Sequence, residues 1–514
     1  MDTVWPGIHV GEDSLFQGIR EIRAALGDTE RQIVKLVTGR GYMFSLDVSS
    51  GQAELNLGAT ATAQPAPDGM GLVAHTRLRN PFNRHLALGL AALVVLATLV
   101  LAFVMIVSKT DAPSGLAEAN RPVIEVLPIA DTGAGPQGHA LAQGIANHLI
   151  NGLASVDGIR VIPPRESHTT ASASDPSRST GFKLQSELER STNSWIFRTR
   201  LINVATGEIQ SVDKVSLDTA EPDIERLQSR LAAGAGYALA TRLNNFQRSV
   251  LKQDDRVAQV AIEQATASIN QTNPERFATA RTILQKNLSA EPNNVDLQIA
   301  LAELHLRGIQ MNWYGPTESA AAASDAQSLL ERALRSEPNS LSALGAYCRL
   351  LTLTNQFDES LVTCVKVLHL NPWDGAALFH LGLTQIQLGR FEDALSTFKQ
   401  ADRFDTPEVS RWTWLLGAGW ATLLLDRNDD AAQWLERSIA ITPATGRAGM
   451  LLAVAYQRLG RPVEAKETLA RAMKLRPGST ARNISLPSRN ASQIYLEERS
   501  KINQTLIELG LPES

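Results

Sequence analysis

The chain has 514 residues, 44% hydrophobic and 20% charged, with 49 Lys and Arg against 53 Asp and Glu for a net charge of −4. That length allows about three domains at roughly 150 residues each, and the composition excludes collagen-like and grossly disordered chains. The acidic balance excludes a protein coated in nucleic acid, so any contact with DNA has to be local. Two cysteines, Cys348 and Cys364, exclude a disulfide framework and a Cys-rich zinc module. The nine histidines are scattered without HExxH spacing, so neither a metal nor another cofactor is expected.

The first element is a helix over residues 13–26. Leu15, Ile19, Ile22 and Leu26 form one apolar stripe, with Asp13, Gln17, Arg20, Glu21 and Ala24 opposite. Glu12 and Asp13 suit the positive end of the helix dipole, and Gly27 suits the position just past its end. The following RQIVKLVTGRGYMFSLDV has two apolar, partly alternating runs around Thr38-Gly39-Arg40-Gly41. Glycines permit the positive φ of a tight reversal, which predicts a β-hairpin over 33–46 that presents Arg40.

Val4-Trp5-Pro6-Gly7, Glu12-Asp13-Ser14-Leu15, Ala25-Leu26-Gly27-Asp28 and Gly39-Arg40-Gly41-Tyr42 resemble the second half of an OmpR-type winged-helix DNA-binding domain. The likeness is to membrane-anchored one-component transcriptional regulators of the ToxR/CadC kind. It implies that residues 1–47 are a partial winged helix whose recognition helix, 13–26, enters the major groove. The wing, 33–46, would bring Arg40 to the backbone or minor groove. On that reading Gln17 and Arg20 contact the groove, and Arg23, Arg31 and Lys35 contact phosphates. The family module also has a small sheet, a first helix and a supporting helix, of which Met1–Gly7 matches only the tail. Either the module continues upstream of Met1 or this end is a decayed fragment, and residues 1–80 alone are not expected to bind DNA specifically.

Residues 48–85, with a run rich in Ala, Gly, Thr and Pro, read as a flexible cytoplasmic tether. From Leu86 to Val107 the chain is uncharged and mostly apolar. At 1.5 Å per residue this makes about 33 Å of helix, enough for a hydrocarbon core of about 30 Å. Arg77, Arg79 and Arg84 precede it, and after Lys109 the next basic residue is Arg121. The positive-inside rule therefore predicts a single-pass protein of a bacterial inner membrane, N-terminus cytoplasmic and residues 108–514 periplasmic.

Residues 120–245 read as α/β. RPVIEVLPIA and IRVIP are strand-like around the amphipathic helix GHALAQGIANHLINGLASV. FKLQSELER, SWIFRTRLINV and EIQSVDKVSL then predict an antiparallel meander, closed by the helix EPDIERLQSRLAAGAGYALATRL. Val123-Ile124-Glu125-Val126-Leu127-Pro128, Gly144-Ile145-Ala146, Ile159-Arg160-Val161-Ile162 and Leu201–Glu208 resemble the TolB N-terminal domain. No nucleophile–base pair or phosphate-binding glycine loop stands out beyond residue 108, so an enzyme is not expected.

From 254 to 480 the chain is helical and repeats. Pro338 and Pro372 are 34 residues apart, as are Pro443 and Pro477, with steps of 35 and 36 through Pro407 between them. In one unit Leu381-Gly382 supplies a small helix-crossing pair, Gly389 a turn, Phe391 a bulky contact, and Ala394 and Ala401 small ones. Gly419, Ala431, Ala453, Gly460, Ala465 and Ala472 follow suit in later units. This period of helix–turn–helix units is the tetratricopeptide (TPR) signature. Upstream, NVDLQIALAELHLRG and SDAQSLLERALRSEP read as one unit split by a longer connection, GIQMNWYGPTES. Residues 481–514 read as a helical tail. Aligning Pro338–Pro372 with its neighbours puts Cys348 at the place of Gly382 and Cys364 at that of Ala394, small positions facing each other across a helix crossing. In an oxidising periplasm one reading is a disulfide, the other two reduced buried thiols.

The expected fold is thus α + β multidomain and mostly α: partial winged helix, one transmembrane helix, small α/β domain, C-terminal TPR solenoid. Two functions follow. One is a DNA-binding, membrane-anchored regulator sensing a periplasmic signal, with paired heads in a homodimer by family expectation. The other is a membrane-anchored periplasmic adaptor that takes a protein or peptide in its TPR groove and no longer binds DNA.

Overall fold

The structure, a computed structural model, describes residues 34–37, 41–44, 122–132, 135–164, 181–218, 223–249, 256–269, 274–311, 313–406, 411–442, 446–484 and 488–514. They fall into two units, Met1–Leu101 and Ala102–Ser514. In the first, β1 (Val34–Val37) pairs antiparallel with β2 (Gly41–Phe44), Val34 opposite Phe44 and Val37 opposite Gly41. The helix expected over 13–26, the tether over 48–85 and the transmembrane helix over 86–107 lie outside the described residues. Among those described, no helix is long and apolar enough to cross a membrane.

The second unit begins with one sheet: β3 (Val123–Val126), β4 (Ala130–Thr132), β5 (Arg160–Ile162), β6 (Gly181–Arg190), β7 (Ser194–Asn203) and β8 (Ile209–Asp218). Its order is β5-β3-β6-β7-β8, with β4 also on β6. β3 is parallel to β5 and β6, and β6, β7 and β8 form the antiparallel meander. RPVIEVLPIA, read as one strand, is divided into β3 and β4. Pro128 has no N–H for the ladder. Leu127 N donates to Leu184 O at 3.0 Å, and pairing resumes with Ala130 opposite Glu187.

Period-2 alternation puts Phe182, Leu184 and Leu188 of β6 and Phe197 and Leu201 of β7 on one face. Two helices cover it: α1 (Gly135–Ala154), through Leu141, Ile145, Leu149 and Leu153, and α2 (Ile224–Ser249), through Leu227, Leu231, Leu239 and Leu243. The other face carries cross-strand ion pairs, Arg200 to Glu187 at 2.6 Å and Arg198 to Glu189 at 2.5 Å. α2 does not stop near residue 243, where the expected helix ends; it runs through the 245 boundary to Ser249.

The remainder is a stack of helical hairpins: α3 (Arg256–Ile269) with α4 (Pro274–Ala290), α5 (Val295–Gln310) with α6 (Pro316–Ser336), and α7 (Leu341–Leu353) with α8 (Phe357–Leu370). α9 (Gly375–Gln387) with α10 (Phe391–Phe404), α11 (Arg411–Leu424) with α12 (Asn428–Ile441), and α13 (Arg447–Arg458) with α14 (Pro462–Leu475) complete it, followed by α15 (Gln493–Leu509). Start signals recur. Asn294, Ser340 and Asp374 cap α5, α7 and α9 by accepting from the backbone N–H of Leu297, Ala343 and Ala377. Each hairpin from α7 on turns through a left-handed residue: Asn355, Gly389, Asp426 and Gly460, with φ of 63°, 77°, 57° and 73°. Asn and Asp tolerate that conformation better than other side chains, so they replace glycine at two of the four turns.

The longer connection expected between α5 and α6 is instead helix. A proline at the first helical position and the alanine run after it start α6 early, so only 311–315 link the pair. The cysteine alignment is also corrected. α8 begins at Phe357 and α10 at Phe391, so Cys364 is in register with Phe398, while Ser360 is the counterpart of Ala394. Gly382 faces Phe398, whose ring would lie 2.5 Å from an added Cβ. One repeat earlier, Cys348 and Cys364 fill the same crossing. They are bonded, with Cα atoms 5.0 Å apart, and both are fully buried. The bond closes a 16-residue separation, and replacing both cysteines by alanine is expected to cost ~3 kcal/mol from loop-closure entropy. Urea unfolding under non-reducing conditions checks this; an unchanged midpoint refutes it.

Candidate functional site

α2 belongs to two structures at once. One side of it seals the sheet, and the rest runs along the loops that join successive hairpins. Near its C-terminus Arg248 pairs with Glu337 and, at 2.7 Å, with Asp296. Asn244 donates to Asn339 O at 2.8 Å and accepts from Leu341 N at 3.0 Å. Asn371, fully buried, donates to Tyr237 O at 3.2 Å and Thr241 Oγ1 at 3.3 Å. Arg230 donates to Asp402 O at 3.3 Å. Each move of about seven residues toward the start of α2, ~10.5 Å at 1.5 Å per residue, therefore meets the next repeat. That distance is close to the ~8–10 Å between packed helices, so a straight helix keeps register with the stack.

Trp373 locks the middle of this seam. The α8–α9 loop carries it into the core of the α/β layer, where it is 3% exposed. A Cβ added to Gly152 of α1 would sit 2.0 Å from Cζ2 of the indole, and one on Gly236 of α2 2.5 Å from Cη2. Both glycines are thus required by the ring. Asn371 Oδ1 accepts from Trp373 N at 3.2 Å, and Thr406 Oγ1 donates to Trp373 O.

At the N-terminal end of α2, Asp402 collects arginines. Arg226 pairs with it, Arg437 reaches it at 2.9 Å and Arg411 at 3.4 Å, while Arg230 lies 3.5 Å from Asp405. Burial opposes ionisation of Asp402, but Arg437, Arg226 and Arg411 outweigh it and hold the carboxyl below its ordinary value. Two arginines come from α2 and two from the repeats, so the carboxylate is a hub between the layers.

The first helices of successive hairpins pack side by side and make the inner face of the stack. Across α3, α5 and α7 it holds a cleft of about 390 Å³ lined by Ile262, Leu304 and Met311 with Glu303, Arg307 and Arg349. Its lining mixes apolar and polar surface, and its charged groups are two guanidiniums and one carboxylate. Further along, on α9, burial and the nearby Arg349 push His380 down to about 3, so its imidazole is neutral. Among the described residues, no group of His, Cys, Asp and Glu could hold a metal ion.

Of the residues singled out in the sequence, Lys35 lies in β1 opposite Met43. Gln17, Arg20, Arg23, Arg31 and Arg40 lie outside the described residues. Cys348 and Cys364 are brought together under a buried hydroxyl cluster, Ser360 Oγ lying 2.9 Å from Thr352 Oγ1 and 2.8 Å from Thr384 Oγ1. Sequence reasoning missed Trp373, Asp402, the α2 arginines and the cleft. One signal was present: Ala232-Ala233-Gly234-Ala235-Gly236 is a small-residue run of the kind that lets another element approach closely.

Residues 375–406 and 447–479 each match a tetratricopeptide repeat. With the hairpin geometry, they establish the C-terminal part as a TPR-like helical solenoid. No curated protein is matched in sequence. Among solved structures, the type IV pilus biogenesis factor PilW is 17% identical at a TM-score of 0.37, covering 44% of this chain and 96% of its own. Pseudomonas aeruginosa PilF is 17% identical at 0.35, covering 48% and 98%. A thermophilic TPR protein of Thermus thermophilus is 22% identical at 0.30, covering 40% and 99%. At such TM-scores these likenesses carry no argument about function.

Proposed function

We propose that this protein is a protein-interaction adaptor whose inner solenoid face takes a polypeptide segment. The observation that carries this is the cleft across α3, α5 and α7, where Ile262, Leu304 and Met311 lie with Arg307 and Arg349, two guanidiniums against the single carboxylate of Glu303. It suits an extended partner segment with apolar side chains and a carboxylate: apolar contacts supply affinity, and the fork geometry of arginine supplies orientation. The α/β layer braces the stack through α2, and the apolar segment 86–107 would tether the adaptor to a membrane. A bacterial periplasm suits the Cys348–Cys364 bond, since disulfides persist in oxidising compartments. The test presents the full-length protein to an array of acidic–apolar peptides. Met311→Asp is expected to weaken the bound peptides about tenfold, ~1.4 kcal/mol, and equal binding by this variant removes the reading.

A second reading is favoured by the hairpin of β1 and β2. It fits a wing, and a DNA-contacting head on such a wing would make the protein a membrane-bound transcriptional regulator. Gel shift with the full chain tests it: Arg40→Ala should weaken a retarded complex, and no complex with genomic fragments rejects it.

A further inference from the structure

The inner face is open over the first hairpins and occupied over the last. After α14 the chain turns back instead of adding another hairpin, and α15 crosses the first helices α11 and α13. Tyr495, Ile502, Leu506 and Leu509 form its buried stripe. They lie at spacings of 0, +7, +11 and +14, one side of a helix. Tyr495 meets Trp420 of α11 edge-on with ring centroids 6.1 Å apart, and Arg447 of α13 lies 4.9 Å over the same indole. Arg499, four residues after Tyr495, stacks 5.8 Å over the tyrosine ring and donates to Ser488 at 2.9 Å. The ring pair thus carries a guanidinium at each end, which makes a clamp of attractive pairs.

The lead-in to α15 is pinned at two of the left-handed turns. Ser492 N donates to Gln387 O at 2.8 Å, and a Cβ on Gly389 would sit 2.7 Å from Ser492 Oγ. Arg489 N donates to Asn355 Oδ1 at 3.2 Å, and Asn490 Nδ2 to Asn355 O at 3.2 Å. The fit is incomplete. A cavity of about 70 Å³ lies between Tyr495 and Ser488 on one side and Thr352, Leu383 and Trp420 on the other. A second, of about 20 Å³, lies beside Ile502 and Leu506. The helix's Lys501–Glu498 ion pair, at 2.6 Å, is internal.

We propose that the inner face of α9, α11 and α13 is a second polypeptide-binding groove, closed by the chain's own residues 488–511. Its ligand in trans is an amphipathic helix that repeats the α15 pattern, an aromatic residue followed by a base four residues on and aliphatics seven and eleven residues on. Tyr495 shows where the aromatic ring seats, Trp420 and Arg447 form its wall, and the unfilled cavity leaves room for a larger side chain. α15 is thus a tethered competitor, and a partner helix binds only as fast and as tightly as α15 yields. This surface is separate from the open cleft, so Met311→Asp should leave it unaffected.

The probe is a labelled synthetic peptide of residues 490–511. The full chain carrying Ile502→Asp and Leu506→Asp, with its tail unable to seat, is expected to bind this peptide at least tenfold tighter than the unaltered chain. A Tyr495→Ala peptide should lose that binding. Equal binding to both chains, or none to a variant of unaltered circular dichroism, overturns the proposal. Should the variant fail to fold, hydrogen exchange on the unaltered chain decides. Amides of α15 exchanging ahead of those in α13 and α14 support a displaceable tail, and equal protection overturns it.

Discussion

Replacing Trp373 with alanine should lower the stability of the Ala102–Ser514 unit by ~3–5 kcal/mol, the range for truncating a buried tryptophan. The cost is high because the site cannot collapse onto the space. Gly152 and Gly236, which lie against the indole, have no side chains to move into it. Asn371 would also lose the ordered loop that holds its bonds to Tyr237 and Thr241. The sheet with α1 and the hairpins have cores of their own, so both are expected to stay folded while the seam between them loosens. Urea denaturation followed by far-UV circular dichroism should show an earlier, less cooperative transition. A loss below ~1 kcal/mol would mean that Trp373 merely covers the seam.

Asp402→Asn should be the next most damaging change, at about 3 kcal/mol. Breaking a buried ion pair costs ~3–5 kcal/mol, and the lower end applies because Arg226, Arg411 and Arg437 keep 27%, 25% and 39% of their side-chain exposure. Arg230 and Arg411 would still reach Asp405, at 3.5 and 3.6 Å. The change also has a pH signature. The folded carboxyl sits below its ordinary value of about 4, so its stabilisation is fully present above that unfolded pKa and is lost as pH falls through the folded one. Stability should therefore not change through this group between neutral pH and about pH 4, then decline. In Asp402→Asn that part of the acid limb should vanish, leaving a smaller difference between urea midpoints at pH 7 and pH 3. An identical pH profile in the two proteins would show that the network is screened.

The repeats were legible because their signals are local and periodic. Proline spacing near 34 residues and glycines at 389 and 460 each act within a few residues of where they stand. The strand alternation of β6 and β7 is of the same kind. Errors arose where a residue's effect depends on register: Pro128 divides a strand that composition reads as continuous, and an early start to α6 absorbs an apparent loop. The four-residue misplacement of Cys364 hid that the disulfide stands where the next repeat puts Phe398.

By itself, then, the sequence determined the existence and period of the helical hairpins and the helix–sheet layer, because hydrophobic period and turn chemistry act over short stretches of chain. Only the tertiary structure decided that α2 braces the stack, that Asp402 draws arginines from residues 226 to 437, and that α15 lies back across α11 and α13. Those contacts join residues far apart in sequence with no shared period. Their partners are selected by which surfaces folding brings within reach, and a linear pattern does not carry that information.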